Sequence, residues 1–406
     1  METAMPFHAL PRLGDRWSPL HFLAALGAGG IVVTFFLWFM FWVPHKGRPV
    51  PVFEDIAAAF ASGGPATQGM IVAGYAGIVI FAILHIRLLA WNLAQYAAFK
   101  RTEAYTALRA SNAETQLLAA PLTVAMSINM GFILGLVFVP GLWGMVEVMF
   151  PMALIAFTLV GAWALRLLGD FFGRVLTRGG FECAKNNSLG QMLPAFALAM
   201  IGVGLSAPAA MSQSAATAAA SLVLSTLFIT AASILGAIAL FMGFRAMMEH
   251  GAAEEGAPTL LVGIPILTVI GIALMRQGHG LHVHLDDHAG NAAMFTLLAR
   301  IVAAQVLIGA FGAMVLLRQR YGARFIDGSR PSVGAYALVC PLVAGGVMLQ
   351  FFVNKGLAAP GLVDKYGLAY WAVTALALLL QAGAIGLALK LNARLLGPAQ
   401  APAAAA

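Results

Sequence analysis

The sequence predicts an all-α polytopic membrane protein, its ten transmembrane helices arranged as five quasi-repeated helical hairpins around a central passage. Three observations predict it. Of 406 residues, 61% are hydrophobic and 10% charged; ten apolar windows are long enough to cross a bilayer; and a proline recurs near the start of every second window. Soluble domains carry about 25% charged residues, and 23 Lys and Arg with 16 Asp and Glu are too few to cover a water-facing surface of this size. The mean hydropathy of +0.88 argues against a soluble enzyme and a disordered chain; the pI of 9.7 would suit a nucleic-acid binder, but the basic residues sit in short loops between apolar runs, where they act first as orientation signals.

A helix needs about 20 apolar residues to span about 30 Å of hydrocarbon. Such windows fall at 19–43, 69–93, 117–139, 143–168, 188–210, 217–243, 258–276, 292–317, 332–353 and 366–391. Pro140-Gly141 divides the run from 117 to 168. No small-residue cleavage site follows the first window, so it is expected to be a retained span. This gives a cytoplasmic segment 1–18, a transmembrane domain 19–394 and a flexible Ala/Pro tail 395–406.

Charge sets the expected orientation. With the N-terminus inside, fifteen of the 23 Lys and Arg fall in cytoplasmic segments, five in outer segments (Lys46, Arg48, Arg276, Lys355, Lys365) and three, Arg87, Arg166 and Arg300, within spans. That bias places both termini in the cytoplasm.

The odd-numbered windows carry Pro19, Pro121, Pro194, Pro265 and Pro341, the last four spaced 73, 71 and 76 residues apart. A period near 73 residues reads as parallel repetition of one hairpin. Each proline is expected to remove a backbone hydrogen bond and bend its helix, which makes these five helices the candidate inner wall. Glycines accompany them, among them Gly27, Gly29, Gly30, Gly202 and Gly204; they permit close packing or leave space along an axis.

Polar candidates are few. RQGHGLHVHLDDHAGN, residues 276–291, is expected in the outer loop between helices seven and eight and gathers His279, His282, His284 and His288 with Asp286 and Asp287. Imidazole with carboxylate suits a divalent metal, and in an extended segment His282 and His284 point the same way; the alternative is a solvated mouth that titrates with pH. Arg300 lies about 12 Å deep in the eighth span at 1.5 Å per residue, where a charge is paired or functional; Glu147 is its candidate partner, or Arg300 attracts anions alone. Cys183 stands beside Lys185, a cation that favours the thiolate, whereas Cys340 precedes Pro341 on an inner helix; both are redox candidates. FFLWFMFW, residues 35–42, reads as an interfacial aromatic belt. No Ser/His/Asp set, P-loop, GxGxxG after a strand, haem CxxCH or intramembrane carboxylate pair is present, so no enzymatic chemistry and no resident cofactor are expected beyond a metal at the outer loop.

Ten spans, termini inside, and alternate helices bearing proline and small residues together resemble the tellurite-resistance/dicarboxylate transporter family, which includes TehA-like proteins, plant slow anion channels and fungal sulfite exporters. The resemblance covers roughly residues 17–394 and implies an inner ring of odd helices around a pore, a bacterial inner-membrane location and a homotrimer. It also implies a phenylalanine gate on the ninth helix. Here that stretch reads RPSVGAYALVCP, in which Tyr336 is the only aromatic and therefore the candidate gate. The string WSPLHFLAALGAGGIVVTFF with FMFWVPH is also similar to the bacterial TsoY (seleno)protein branch, a resemblance under which transport is not to be presumed and one of the two cysteines gains weight.

The expected function is a channel or exporter for small anions of the inorganic, sulfite or dicarboxylate class, working in the lipid bilayer without nucleic acid. The alternative is a membrane redox or metal-handling protein using Cys183, Cys340 or the outer histidines.

Overall fold

Every apolar window folds as a helix. The computed structural model describes residues 10–285 and 290–397; within them ten helical spans are long and apolar enough to cross a membrane, and no strand occurs. The spans are α1 Pro19–Trp42, α2 Pro65–Phe99, α3 Asn112–Phe138, α4 Leu142–Arg178, α5 Gly190–Met211, α6 Ala215–His250, α7 Ala257–Leu285, α8 Asn291–Arg318, α9 Val333–Ala358 and α10 Leu368–Leu395. By length and composition this is a multi-pass membrane protein. Calls on residues 1–9 and 398–406, which include most of the expected tail, lie outside the described residues.

The spans fall into two classes. Windows of the odd spans are 44–94% buried within the protein, those of the even spans 17–39%. The odd spans touch in a closed sequence, α1 to α3 to α5 to α7 to α9 and back to α1, and each even span packs against the odd span before it. Their apolar exterior, including Leu159, Phe241 and Phe311, is what a lipid-facing surface requires.

The prolines do not bend the helices. Pro19 opens a 3-10 turn, Pro19–His21; the other four stand in the first α-helical turn after the 3-10 segments Asn112–Leu118, Gly190–Met192, Ala257–Leu261 and Val333–Leu338. A first-turn residue has no intrahelical acceptor to lose, so proline starts these helices instead of kinking them.

Small residues bring the inner helices close to their neighbours. A Cβ on Gly29 would lie 2.8 Å from both His85 Nδ1 and Met126 Cγ, and one on Gly202 would lie 2.8 Å from Ile229 Cδ1. His85, fully buried on α2, donates from Nδ1 to the Ala25 carbonyl at 2.8 Å and accepts at Nε2 from the Ser127 hydroxyl at 2.7 Å, tying α1, α2 and α3 together.

The aromatic run 35–42 is not a lipid-facing belt, because α1 is an inner helix. Phe36, Phe39 and Phe41 are buried. Trp38 Nε1 donates to Gln381 Oε1 at 3.1 Å, and Trp42 Nε1 to the Tyr370 hydroxyl at 2.9 Å, which in turn donates to Asn354 Oδ1 at 3.0 Å.

On the face where α1 begins and α10 ends, called here the terminal face, buried Glu114 bridges Arg109 at 3.1 Å and Arg174 at 3.0 Å, and Arg109 also reaches Asp170 at 3.1 Å. On the far face the short helix Phe53–Ser62 is fixed by Arg48 to Asp55 at 2.6 Å and by the Gly141 N–H donating to Glu54 Oε1 at 2.6 Å.

Candidate functional site

The ring of odd spans surrounds a chamber of about 750 Å³ that extends to the far face. Gly27, Gly30 and Phe36 of α1, Met126, Asn129 and Phe132 of α3, Phe196 and Met200 of α5, Val269 and Met275 of α7, and Val343 and Val347 of α9 are among its walls; Phe150 and Phe157 of α4 add to them. Gly27 and Gly30 line the chamber and also allow close packing: a Cβ on them would lie 2.8 Å and 3.0 Å from Cγ1 of Val339 and Val343, respectively.

The charged groups that line this chamber, among the described residues, are all basic: Arg48, Arg276 and Lys355, joined by His279. Arg276 is half-buried on α7. Its Nη1 donates to the Val203 carbonyl at 2.7 Å, and it makes no ion pair among the described residues. His279 follows three residues later, on the same helical face. Lys355 lies in the π-helical stretch Phe352–Ala358 that ends α9; such wide turns recur at functional sites. Arg48 alone has a carboxylate partner, Asp55.

A second chamber of about 310 Å³ opens on the terminal side, lined by Leu20, Leu23, Asn112, Gln191, Glu255 and Ser332 among others. Three wall residues belong to both chambers: Phe196, Pro265 and Cys340. That layer stands between them, and the Phe196 ring is its bulkiest member.

Several expected site residues take other places. Of the five prolines, Pro265 lines the chambers, whereas Pro19, Pro121, Pro194 and Pro341 are buried in the packing around the ring. Tyr336 is not placed as a gate. It is buried in the 3-10 segment that opens α9, and its hydroxyl donates to Asn392 Oδ1 of α10 at 2.8 Å; it lines neither chamber. Arg300 is exposed on the outward surface of α8, and Glu147 is engaged elsewhere: Oε2 accepts from the Ser212 hydroxyl and Oε1 from the Gln213 N–H, each at 2.7 Å. Depth within a span does not reveal which face of the helix a residue occupies, so the Arg300–Glu147 pair does not form.

Residues 276–285 are not an extended loop. α7 continues past its apolar window to Leu285, and two residues apart on a helix, His282 and His284 point to different sides. His284 Nε2 donates to the Ser212 carbonyl at 3.1 Å. Among the described residues no group of three His, Cys, Asp or Glu side chains is placed to hold a metal; His288, Asp286 and Asp287 lie outside those residues. Cys183 is exposed, and the neighbouring Lys185 ammonium pairs with Glu182 at 2.7 Å instead of facing the thiol alone. Cys340 is buried.

In the sequence Arg276, Lys355 and Arg48 read only as outer-segment charges, and nothing there marks Phe196. The i, i+3 spacing of Arg276 and His279 was the available signal. No family model, curated protein or solved structure matches this chain.

Proposed function

We propose that the protein is a transmembrane conduit for anions, a channel or exporter of the TehA-like kind, built as five quasi-repeated hairpins around a central passage. One observation carries this reading: the chamber is lined by Arg48, Arg276, Lys355 and His279 and by no carboxylate among the described residues. A cationic mouth concentrates anions, and the layer of Phe196, Pro265 and Cys340 restricts flow beyond it. The closed contact ring of odd spans supports the two-ring arrangement. The fifteen basic residues on the terminal side support an inner-membrane orientation with both termini in the cytoplasm; exposed Cys183 should then label with an impermeant maleimide only from that side.

The test is anion flux in proteoliposomes with chloride, nitrate, sulfite, malate and octanesulfonate. Selective flux of one or more, reduced in Arg276→Gln and retained in Arg300→Gln, is the expected result. Silence across the whole panel from folded, reconstituted protein would overturn the reading.

A further inference from the structure

Resting on the reading that the central chamber takes anions, we propose that its occupant is an amphipathic organic anion. A carboxylate or sulfonate head is held at Arg276 and Lys355, and an alkyl or aryl body lies in the chamber below.

The head site follows from Arg276. Its guanidinium carries five N–H donors in a planar fork suited to bidentate oxyanions, and one bond, to the Val203 carbonyl, is all the described protein supplies. The remaining donors belong to a side chain that lines the chamber. Lys355 and His279 line the same mouth, and no acidic side chain competes there among the described residues.

The body site follows from what lies deeper. Phe36, Phe132, Phe150, Phe157, Met200 and Val347 form apolar walls. The polar side chains at this depth are turned to other partners: Asn129 Nδ2 donates to the Ala125 carbonyl at 3.1 Å and lies 3.7 Å from Met200 Sδ, and Thr268 Oγ1 lies within 3.0–3.1 Å of the Ala344 and Ile264 carbonyls. A bare inorganic ion moving inward from Arg276 meets no comparable cation to replace its hydration shell, whereas an apolar body gains from the same walls. The chamber, about 750 Å³, lies in the range of pockets that enclose organic ligands, about 300–1,000 Å³.

The experiment is saturable binding to the full chain in lipid nanodiscs, free of detergent and referenced to empty discs. The probes are alkanesulfonates from butane- to octanesulfonate, together with octanol, malate and chloride. Affinity should rise about three- to fourfold per added methylene, octanesulfonate should bind about tenfold or more tightly than octanol or malate, and Arg276→Gln should weaken it about tenfold while Arg300→Gln does not. Should Arg276→Gln fail to fold, the chain-length series and the octanol comparison on the unaltered protein decide the matter. Octanol binding as well as octanesulfonate would overturn recognition of the head. Chloride or malate binding more tightly, with dependence on Arg276, would overturn the apolar body and leave the conduit standing. No binding by any anion, together with absent flux, would remove both.

Discussion

The imidazole of His85 occupies the space that a side chain at position 29 would need: a Cβ built on Gly29 would stand 2.8 Å from His85 Nδ1. The ring is held on both sides, by the Ala25 carbonyl and the Ser127 hydroxyl, and so has no freedom to retreat. Gly29→Ala should therefore cost roughly 1–3 kcal/mol of stability through overpacking, read as a lowered thermal midpoint. Combining it with His85→Ala should recover part of the loss; strictly additive losses would show that the two positions do not compete for space.

Glu114 joins α3 to α4 through Arg109 and Arg174, and its side chain is only 3% exposed. Removing its charge leaves two guanidinium groups without their common partner. Glu114→Gln is expected to destabilise the protein by roughly 3 kcal/mol, whereas Glu249→Gln, in an exposed i, i+4 pair with Arg245, should shift the midpoint hardly at all. Equal effects of the two substitutions would contradict this account.

The Gly141 N–H, donating to Glu54, holds that carboxyl below its ordinary value of 4.5. A depressed folded value means that the contribution is complete above pH 4.5 and is lost as pH falls through the lower folded value. Hydrogen exchange across residues 139–145, corrected for intrinsic rates, should stay flat down to about pH 5 and rise below it. Glu54→Gln should abolish the acid-dependent step. Persistence of that step in the variant would assign it to another group.

Phe196 lies in the wall shared by the two chambers. Phe196→Ala should raise anion flux about tenfold by widening this layer, while Phe196→Leu, which conserves more of the packing, should change it less. Unchanged flux in a folded Phe196→Ala protein would place the restriction elsewhere.

Much of the framework is legible in the sequence because bilayer thickness imposes a length on each apolar window and charge bias marks its ends. All ten windows appear as spans, and the prolines mark the five inner helices. Side-chain direction is less legible. Depth alone suggests a role for Arg300, which is exposed, whereas Arg276 reads as a loop charge because its apolar window stops there, although helical hydrogen bonding carries α7 nine residues further, to Leu285. Position alone offers Tyr336 as a gate, but a buried tyrosine hydroxyl needs a partner, and Asn392 of α10 supplies it away from both chambers. The chambers themselves arise from five helices that are distant in sequence, and no local pattern records them.

The 3-10 turns and prolines at the start of each odd span have an electrical consequence. All five inner helices begin on the terminal face and run in one direction, so their peptide dipoles add. Each helix presents about half a positive charge where it begins and about half a negative charge where it ends. The far mouth thus collects five negative helix ends, a ring that by itself would repel an anion. Arg48, Arg276 and Lys355 stand at that end and offset it, while the inner helices turn their positive ends toward the terminal chamber. The five outer helices run the other way and cancel this effect at a distance, so it acts only on a charge held close to the inner helix ends.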